Sequence, residues 1–223
     1  MADSAPVTLI VGATSGTGLI TAKKLLKQNE PIRIIARNRL KAVQLFGTSN
    51  AEIVICDITK PNDAMREAFR GVQRVIFTAA VPPRRASEEE IRQVDFEGLT
   101  NVLAAAKAAG FKGRFVYLTT LGLTHSSLLM KILGLIKPGI VQWRTAAIDA
   151  IRQSGLTFSI VRAGLFTNSS PGKKSTVLLE QDCPLSFSTK ISRNDAATVL
   201  IEESVKSDTR NADVVAYWQK QAS

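Results

Sequence analysis

A glycine-rich turn near the start of the chain carries the first chemistry that the sequence suggests. The stretch GATSGTG (12–18) has almost no side-chain bulk, and it follows the apolar run VTLIV (7–11). Glycine lets an anion approach the backbone closely, and the N–H groups at the start of a following helix point at one spot. These properties predict a site for a pyrophosphate. The residues of this predicted site are Gly12, Thr14, Ser15, Gly16, Thr17 and Gly18.

The sequence on either side of the turn predicts the strand and the helix that such a site requires. The run 7–11 has the length and the continuous apolar character of a buried parallel strand. After the turn, Leu19, Leu25 and Leu26 recur at helical spacing, and Lys23 and Lys27 form a solvated face. A tight turn that binds nothing is the alternative, but a strand, a glycine turn and a helix in this order are what the dinucleotide fingerprint requires.

Two arginines follow the second predicted strand, IRIIA (32–36), where a doubly wound fold meets the adenosine ribose. An acidic residue at this position favours a free 2′-hydroxyl group, whereas an arginine accommodates a 2′-phosphate. Arg37 stands at the position, and Arg39 is close by. We therefore predict NADP(H) rather than NAD(H) as the cofactor. The alternative is that Arg37 is an ordinary loop cation.

The glycine spacing, G-x-x-x-G-x-G, resembles that of the short-chain dehydrogenase/reductase superfamily. The surrounding residues VGATSGTG (11–18) are most similar to its atypical branch, the NmrA-like and flavin-reductase-like NAD(P)H-binding proteins. Further similarity lies in VDFEGLTNVLAAAKAAG (94–110), in RAGLF (162–166) and in the R-x-D-A-A pattern of 193–197. The resemblance extends over roughly 7–197, and it breaks at the helix before the sixth predicted strand.

The resemblance implies cofactor contacts beyond the glycine turn. Asp57 and Ile58, after the third predicted strand, match the pair that faces the adenine ring. Asp57 could also cap a helix over 62–69. Small residues after the fourth strand match the place where the nicotinamide ribose packs against backbone, and the turn after the sixth strand is expected at the nicotinamide end. These residues are Ala79, Ala80 and Val81 after the fourth strand, and Ala163 and Gly164 after the sixth.

The resemblance also implies where catalysis should occur, and there the chain departs from the family. Standard members carry a Tyr-x-x-x-Lys pair on the helix before the sixth strand, in which the lysine lowers the pKa of the tyrosine that delivers the proton. This helix has no such pair, and only Arg144 could reach the ribose in place of the lysine. Thr119 and Thr120 match a hydroxyl pair that faces the nicotinamide or the substrate carbonyl. His125 is a candidate proton donor, or else a surface residue.

Two functions of different classes fit these residues. The first is an NADPH-dependent reductase that transfers hydride to a flavin-, quinone- or tetrapyrrole-like acceptor, with the proton supplied by solvent. The second is binding of NADP(H) without turnover, as in a redox sensor, a scaffold or an assembly factor, because the phosphate turn is intact while the catalytic helix lacks its pair. In the first case the partner is a small-molecule acceptor. We identify no metal site in the sequence.

Strand-like runs alternate with helical patterns along most of the chain, which is typical of βαβ units and a parallel sheet. We therefore predict one α/β domain over 1–223, of the Rossmann type: a doubly wound, mostly parallel sheet, helices on both faces and a small C-terminal substrate lobe. Substrate-side elements are expected at about 122–142 and 165–192, including a turn-rich stretch at 168–176. Further expectations are one long helix over 88–110, a short strand at 186–191, a helix from 193 capped by Asn194 or Asp195, and an edge strand at 214–219.

The charge, the cysteine spacing and the first residues of the chain indicate which partners and which cellular compartment to expect. The 223 residues carry a formal net charge of +10, but the lysines and arginines are scattered, so we expect a solvated surface and no nucleic-acid partner. Cys56 and Cys183 show no C-x-x-C spacing, which favours a reducing compartment. Because the first residues show no signal-peptide pattern either, we predict a cytoplasmic location.

The longest apolar stretch, 127–141, could take one of three roles. Lys131, Gly134, Lys137 and Pro138 interrupt it, so it is too short and too polar to cross a bilayer. We expect a lid or a packing helix over the site. An exposed helix could instead form a dimer patch or contact a membrane surface.

Overall fold

The computed structural model describes residues 6–82, 85–169, 176–179 and 182–218. The strands in these ranges are β1 Val7–Val11, β2 Ile32–Ala36, β3 Glu52–Ile55, β4 Val72–Phe77, β5 Arg114–Thr120, β6 Thr157–Ala163, β7 Leu165–Thr167, β8 Thr176–Leu179, β9 Lys190–Ser192 and β10 Ala212–Trp218. The helices are α1 Gly16–Lys27, α2 Arg39–Phe46, α3 Asp63–Glu67, α4 Glu88–Ile91, α5 Gly98–Ala108, α6 Leu128–Ile136, α7 Ile140–Arg152 and α8 Arg193–Ser204. A π-helical segment, Arg92–Glu97, joins α4 to α5.

Eight of the strands form one sheet in the order β3-β2-β1-β4-β5-β6-β10-β8. Neighbouring strands are parallel from β3 through β10, and β8 is antiparallel to β10. The predicted doubly wound, Rossmann-type fold is confirmed. The strand order reverses between β1 and β4, and sheets of this kind bind ligands outside the carboxyl ends of the strands at that point. The glycine turn follows β1, so it lies at this crevice.

Helices cover both faces of the sheet, which is why its central strands are apolar throughout rather than alternating. Leu9, Ile10 and Val11 of β1 are almost completely buried. On one face α1, α2 and α8 pack against the sheet, and on the other α3, α5 and α7 do so. The two hydrophobic layers fix the strand ends, and thereby the loops that line the crevice.

The structure corrects several predicted elements. The strand expected at the edge, 214–219, is β10, and it is paired on both sides, with β6 and with β8. The expected long helix is interrupted by the π-helical segment. The cap of α8 is Ser192, whose hydroxyl accepts the Asp195 N–H, and not Asn194 or Asp195. The strand expected at 186–191 is the shorter β9, which pairs with β7 outside the main sheet. Residues 170–175 of the predicted turn-rich stretch lie outside the described residues.

The apolar stretch 127–141 forms α6 and the start of α7. Met130 is buried, and Leu129 and Leu133 pack partly against the core, so one face of α6 is a packing face, as expected. Among the helices in the described ranges, none combines the length and the apolar character that crossing a bilayer needs.

Candidate functional site

The glycine turn packs directly against the loop that follows β4. Gly12 has a φ of +94°, and a Cβ built on it would lie 2.5 Å from the Ala79 nitrogen. A Cβ on Gly18 would overlap the Gly12 carbonyl and the Thr78 hydroxyl. At both positions any side chain would force the two loops or the helix apart. The sequence therefore folds here only because these residues are glycine.

Gly16 differs from these two glycines, because its missing side chain faces open space. Its φ is +55°, and apart from its chain neighbours and the backbone of α1, no atom of the described residues lies within 4 Å of the place where its Cβ would be. Within that part of the chain, no other element fills the space beside Gly16. A group that packs against the bare backbone, as a pyrophosphate does in this kind of turn, fits it.

The amino end of α1 has unused hydrogen-bond donors. Ser15 is its N-cap residue, yet within the described part of the chain the Ser15 side chain makes no capping hydrogen bond. By contrast, Asn38 caps α2 and Asn62 caps α3 through their side chains. Because the first N–H groups of a helix have no intrahelical acceptor, those of α1 are available to an anion, and the helix dipole favours a negative charge there.

A cavity of about 390 Å³ opens beside the turn, at the carboxyl ends of β1, β2, β3 and β4. Its lining holds nine of the predicted residues: Gly12, Thr14, Ser15, Arg37, Asp57, Ile58, Ala79, Ala80 and Val81. It also holds Lys41, Cys56 and Thr59, which the sequence did not single out. The other predicted residues do not line it: Gly16, Thr17, Gly18, Arg39, Thr119, Thr120, His125, Arg144, Ala163 and Gly164.

Two cationic side chains line the cavity at the carboxyl end of β2. Arg37 directly follows β2, and Lys41 lies in the first turn of α2; both are exposed and line the cavity. The Asn38 side chain accepts the Lys41 N–H at 2.9 Å, which holds the start of α2 next to Arg37. Arg39 is also exposed but is not part of the lining. The sequence analysis did not single out Lys41, because Arg39 and Lys41 are both near Arg37 along the chain and only the helix geometry separates them. The contact of Arg39 with the cofactor stays a prediction.

Asp57 lies on the cavity wall, and its role as a helix cap was predicted wrongly. Its Oδ1 accepts the Thr59 N–H at 3.0 Å and the Thr59 hydroxyl at 2.9 Å. The cap of α3 is Asn62, whose Oδ1 accepts the Met65 N–H at 3.3 Å. The hydrogen bonds to Thr59 shape the loop after β3 and keep Asp57 and Ile58 beside the cavity.

The backbone of Val81 also lines the cavity, and buried side chains hydrogen-bond to both its N–H and its carbonyl group. Its N–H donates to Asp95 Oδ1 at 2.8 Å, and its carbonyl accepts from Lys137 Nζ at 2.7 Å. Asp95 belongs to the π-helical segment and Lys137 to the turn before α7, and both side chains are buried. Neither residue was predicted from the sequence. Asp95 lies in a stretch with the pattern of one continuous helix, and Lys137 stands out only as a charged residue within an apolar stretch.

Arg144, on α7, belongs to the same buried cluster. Its Nε donates to Asp95 Oδ2 at 3.1 Å. Arg144 therefore supports the loop after β4 through Asp95, and its contact with a ribose stays a prediction. Tyr117 lies nearby, and burial raises the pKa of its phenol to about 12, partly countered by Arg144 and reinforced by Asp95. Tyr117 is buried within β5 and does not lie on α7, where the resembled family carries its catalytic tyrosine.

The hydroxyl pair and the turn after β6 lie deeper in the structure than the cavity. Thr119 is buried, and the Thr120 hydroxyl donates to the Leu121 carbonyl at 3.3 Å. The Ala163 carbonyl accepts the Leu121 N–H at 3.0 Å, and the Gly164 N–H donates to the Ala216 carbonyl at the same distance. These backbone groups join β5, β6 and β10. Their proposed contacts with the nicotinamide end stay predictions.

His125 lies in the loop after β5 and takes part in a hydrogen-bonded chain. Its Nδ1 is 3.0 Å from the Thr124 hydroxyl, which donates to Asp182 Oδ2 at 2.8 Å. A hydroxyl has only one hydrogen, and the carboxylate can only accept, so the Thr124 oxygen accepts from Nδ1–H of His125. The imidazole is thereby oriented, and Nε2 is the nitrogen left to exchange a proton. The side chain is 43% exposed, so solvent can reach it.

Asp182, in the segment before β9, accepts hydrogen bonds from the loop after β5 and holds it in place. This residue was not predicted from the sequence. Besides Thr124, it accepts the Gly122 N–H at 2.8 Å and the Thr124 N–H at 3.1 Å. Burial by itself would raise the pKa of Asp182, but these hydrogen bonds and the nearby Arg162 guanidinium outweigh burial and hold the pKa below its usual value. Asp182 therefore stays ionised at neutral pH.

Within the described ranges, no group of three or more histidine, cysteine, aspartate or glutamate side chains could hold a metal ion. The donors around the cavity are backbone N–H groups, hydroxyls and two cations, which suit phosphates rather than metals.

Residues 12–205 match the model of the NAD(P)H-binding family, which is most of the chain. The chain therefore belongs to this family. The match begins at the first glycine of the turn and ends just beyond α8, so it includes every part of the site described above.

Several plant proteins with curated names are similar in sequence. An uncharacterized chloroplastic protein of Arabidopsis thaliana is 29% identical over 221 residues, covering 90% of this chain and 66% of its own. The chloroplastic protein TIC 62 of Pisum sativum is 29% identical over 189 residues, or 75% of this chain. Sanguinarine reductase of Eschscholzia californica is 24% identical, with 91% of this chain and 86% of its own covered. The chain spans only 34% of TIC 62 and about two thirds of the first relative.

Solved structures share the fold at low sequence identity. A putative NAD-dependent epimerase/dehydratase from Bacillus halodurans has a TM-score of 0.81 and 19% identity, covering 96% of this chain and 94% of its own. ChuY, an anaerobillin reductase from Escherichia coli O157:H7, has a TM-score of 0.78 and 20% identity, covering 97% and 100%. A short-chain dehydrogenase/reductase from Veillonella parvula in complex with NADP has a TM-score of 0.73 and 15% identity, covering 95% and 94%.

Proposed function

We propose that this member of the NAD(P)H-binding family is an NADPH-dependent reductase of the atypical short-chain dehydrogenase/reductase type. The observation that carries the proposal is the glycine turn with the uncapped amino end of α1, set beside a cavity that ends at two cations. These features provide donors for a pyrophosphate at one place and for a further phosphate at another.

The residues present fit an extended dinucleotide across the cavity. The turn 12–18 would hold the pyrophosphate, Asp57 and Ile58 would face the adenine, and the backbone of 79–81 would carry the nicotinamide ribose. Arg37 and Lys41 both line the end of the cavity next to β2, and no acidic residue follows that strand directly. A guanidinium and an ammonium group at this position favour the 2′-phosphate of NADPH over the free hydroxyl of NADH.

When bound, NADPH supplies the hydride, and the protein must position the acceptor and deliver a proton. We assign proton delivery to His125 Nε2. The chain of hydrogen bonds through Thr124 to Asp182 supports this role, because it orients the imidazole ring and leaves Nε2 outside that chain. Thr119 and Thr120 stay secondary candidates for contact with the nicotinamide or the substrate.

For the acceptor we propose a flavin-, quinone- or tetrapyrrole-like compound. Such acceptors need little acid catalysis, so hydride transfer can proceed through positioning although the Tyr-x-x-x-Lys pair is missing. The names of two similar proteins, sanguinarine reductase and anaerobillin reductase, agree with reduction of a small-molecule acceptor.

The second candidate is binding of NADP(H) without turnover, in a sensor, scaffold or assembly factor. One observation favours it: Arg144, the only residue of α7 proposed for the role of the missing lysine, is engaged by Asp95. The cytoplasmic location stays a prediction for either function; the names of two relatives place those proteins in the chloroplast.

Steady-state oxidation of NADPH at 340 nm, with a panel of flavins, quinones and linear tetrapyrroles, separates the two candidates. A reductase turns over with at least one acceptor class and uses NADH more weakly. Saturable NADPH binding without turnover across the whole panel would favour the non-catalytic protein.

A further inference from the structure

The outer face of α6 is apolar, although it points into solvent. Leu128 is 72% and Leu135 75% exposed. Ile132 and Ile136 are exposed on the same face, and Val141, in the first turn of α7, is exposed as well. We call this surface the α6 patch; it consists of Leu128, Ile132, Leu135, Ile136 and Val141.

The α6 patch is not explained by packing or by the cofactor cavity. The opposite face of α6 already holds the contacts with the core, through Met130, Leu129 and Leu133. None of the five patch residues lines the cavity beside the glycine turn. Isolated apolar side chains on a surface are ordinary, but four exposed aliphatic ones on one face of α6, with a fifth at the start of α7, mark an interaction site.

The one charged residue of α6 itself is a lysine. Lys131 is exposed at the edge of the same helix face, and the sequence from Gly98 to Ile148 contains no aspartate or glutamate. An acidic side chain from α4, Glu88, lies against the turn at Gly139, where it accepts a hydrogen bond from the Trp143 indole N–H at 3.2 Å. The whole chain carries a formal net charge of +10. An apolar face with a basic edge is the pattern of helices that lie on anionic bilayers.

A second copy of this chain fits the patch less well. A two-fold symmetric contact through α6 would bring the edge with Lys131 against its own copy, and it would join two molecules of strongly positive charge. An anionic lipid surface has neither disadvantage, because it is negative and its acyl chains adapt to protruding side chains.

We propose that the α6 patch docks the protein reversibly on anionic membrane surfaces, with α6 parallel to the plane of the bilayer. The nine residues of α6 span about 14 Å, which is enough to insert two turns of leucine and isoleucine at the headgroup boundary. Contact of this kind is peripheral, and it leaves the carboxyl-end cavity open to NADPH because the patch and the cavity share no residue.

Flotation with lipid vesicles tests the proposal. The full chain is mixed with vesicles of pure phosphatidylcholine, or of phosphatidylcholine with about 30% phosphatidylglycerol. The anionic phosphatidylglycerol headgroups give the second kind of vesicle a negative surface potential. We expect flotation with the anionic vesicles, weaker flotation at high salt, and little with the neutral ones. Leu135→Glu should lower the bound fraction about tenfold or more, since it places a charge on the inserted face.

Val205→Glu is the control, because Val205 is 52% exposed after α8, outside both the patch and the cavity lining. This variant should float like the wild type, and both variants should keep NADPH binding as evidence that they are folded. The proposal is overturned if the wild type does not float with anionic vesicles, or if Leu135→Glu and Val205→Glu bind them equally well. Concentration-dependent dimers in light scattering that Leu135→Glu abolishes, without vesicle binding, would assign the patch to a second copy instead.

Discussion

At the scale of single residues, the glycines of the turn separate folding from cofactor binding. Gly12 and Gly18 touch neighbouring backbone, whereas Gly16 faces open space. The sequence pattern predicts all three glycines equally, because it records only their spacing. The role of each glycine depends on how the loop after β4 packs against the turn. Because that packing involves residues distant in sequence, it cannot be read from the local pattern.

Gly16→Ala should weaken NADPH binding about tenfold or more while costing only about 1–2 kcal/mol of stability from the left-handed backbone. Gly71→Ala is its matched control, because Gly71 also has a positive φ (+69°) and open space around it but lies before β4, at the other end of the sheet. Calorimetric titration with NADPH and thermal unfolding measure the two effects. Equal NADPH affinities of the two variants would contradict a pyrophosphate at this turn.

Arg37→Asp should lower the affinity for NADPH by roughly 10- to 100-fold, since one charge-assisted phosphate contact contributes about 1.5–3 kcal/mol. The affinity for NADH should change far less. Arg39→Asp makes the same charge change outside the cavity lining and should have a smaller effect on NADPH. Fluorescence titration with both nucleotides gives the ratio, and a similar loss for NADH and NADPH in Arg37→Asp would rule out the assigned phosphate contact.

Thr124 offers a conservative test of the assigned proton donor. Thr124→Val removes the hydroxyl between His125 and Asp182 and keeps the side-chain shape. A positioned acid contributes about 100- to 10,000-fold, and this variant keeps His125 and removes only its orienting partner, so the turnover number should fall about tenfold. Thr124→Ser restores the hydroxyl and should recover most of the rate, with the pH profile of the wild type. A valine variant with an unchanged rate and pH profile would remove His125 from the mechanism.

At the scale of elements, the loops that connect well-patterned strands decide the shape of the site. Strands β1 to β6 and their helices were predictable because each carries a clear apolar pattern. β10 was mistaken for an edge strand because its outer partner, β8, is only four residues long and comes from a stretch with little pattern. Asp95, Lys137 and Asp182 act across loops that are distant in sequence, so spacing along the chain could not reveal them.

Asp182→Asn should destabilise the fold by about 1–3 kcal/mol at neutral pH, because the amide keeps one acceptor oxygen and turns its NH2 group toward either the Gly122 or the Thr124 N–H group, where an acceptor is needed. The folded-state pKa of Asp182 lies below its unfolded value. Its contribution is therefore complete above the unfolded pKa, near 4, and is lost as the pH falls through the folded pKa. The stability gap between wild type and Asp182→Asn should thus be constant at neutral pH and shrink below about pH 4.

Urea unfolding at several pH values measures this gap. Asp149→Asn is the control, because Asp149 forms an exposed pair with Arg152 at 3.5 Å and should contribute close to nothing. A gap that grows as the pH falls, or one no larger than that of the control, would contradict the fastening role of Asp182.

At the scale of the whole molecule, the cavity beside the glycine turn, the proposed proton donor and the α6 patch lie in separate regions of the fold. The carboxyl ends of the first four strands carry the cavity beside the glycine turn, the loop after β5 carries His125, and the outer face of α6 is exposed. The fold class could be predicted from the sequence, and so could nine residues of the cavity lining, because they follow strands with clear apolar patterns. The structure of the loop after β5 could not, because its hydrogen-bond partner Asp182 is distant in sequence and lies in an irregular segment.

Hydrogen–deuterium exchange of the full chain with and without saturating NADPH tests the central claim most directly, because it shows where the cofactor binds. The account predicts protection of amides in 12–19 and 36–41 and in the loop 78–82, with smaller protection from NADH at 36–41. Unchanged exchange throughout the chain, or protection confined to the opposite end of the sheet around 204–209, would contradict it.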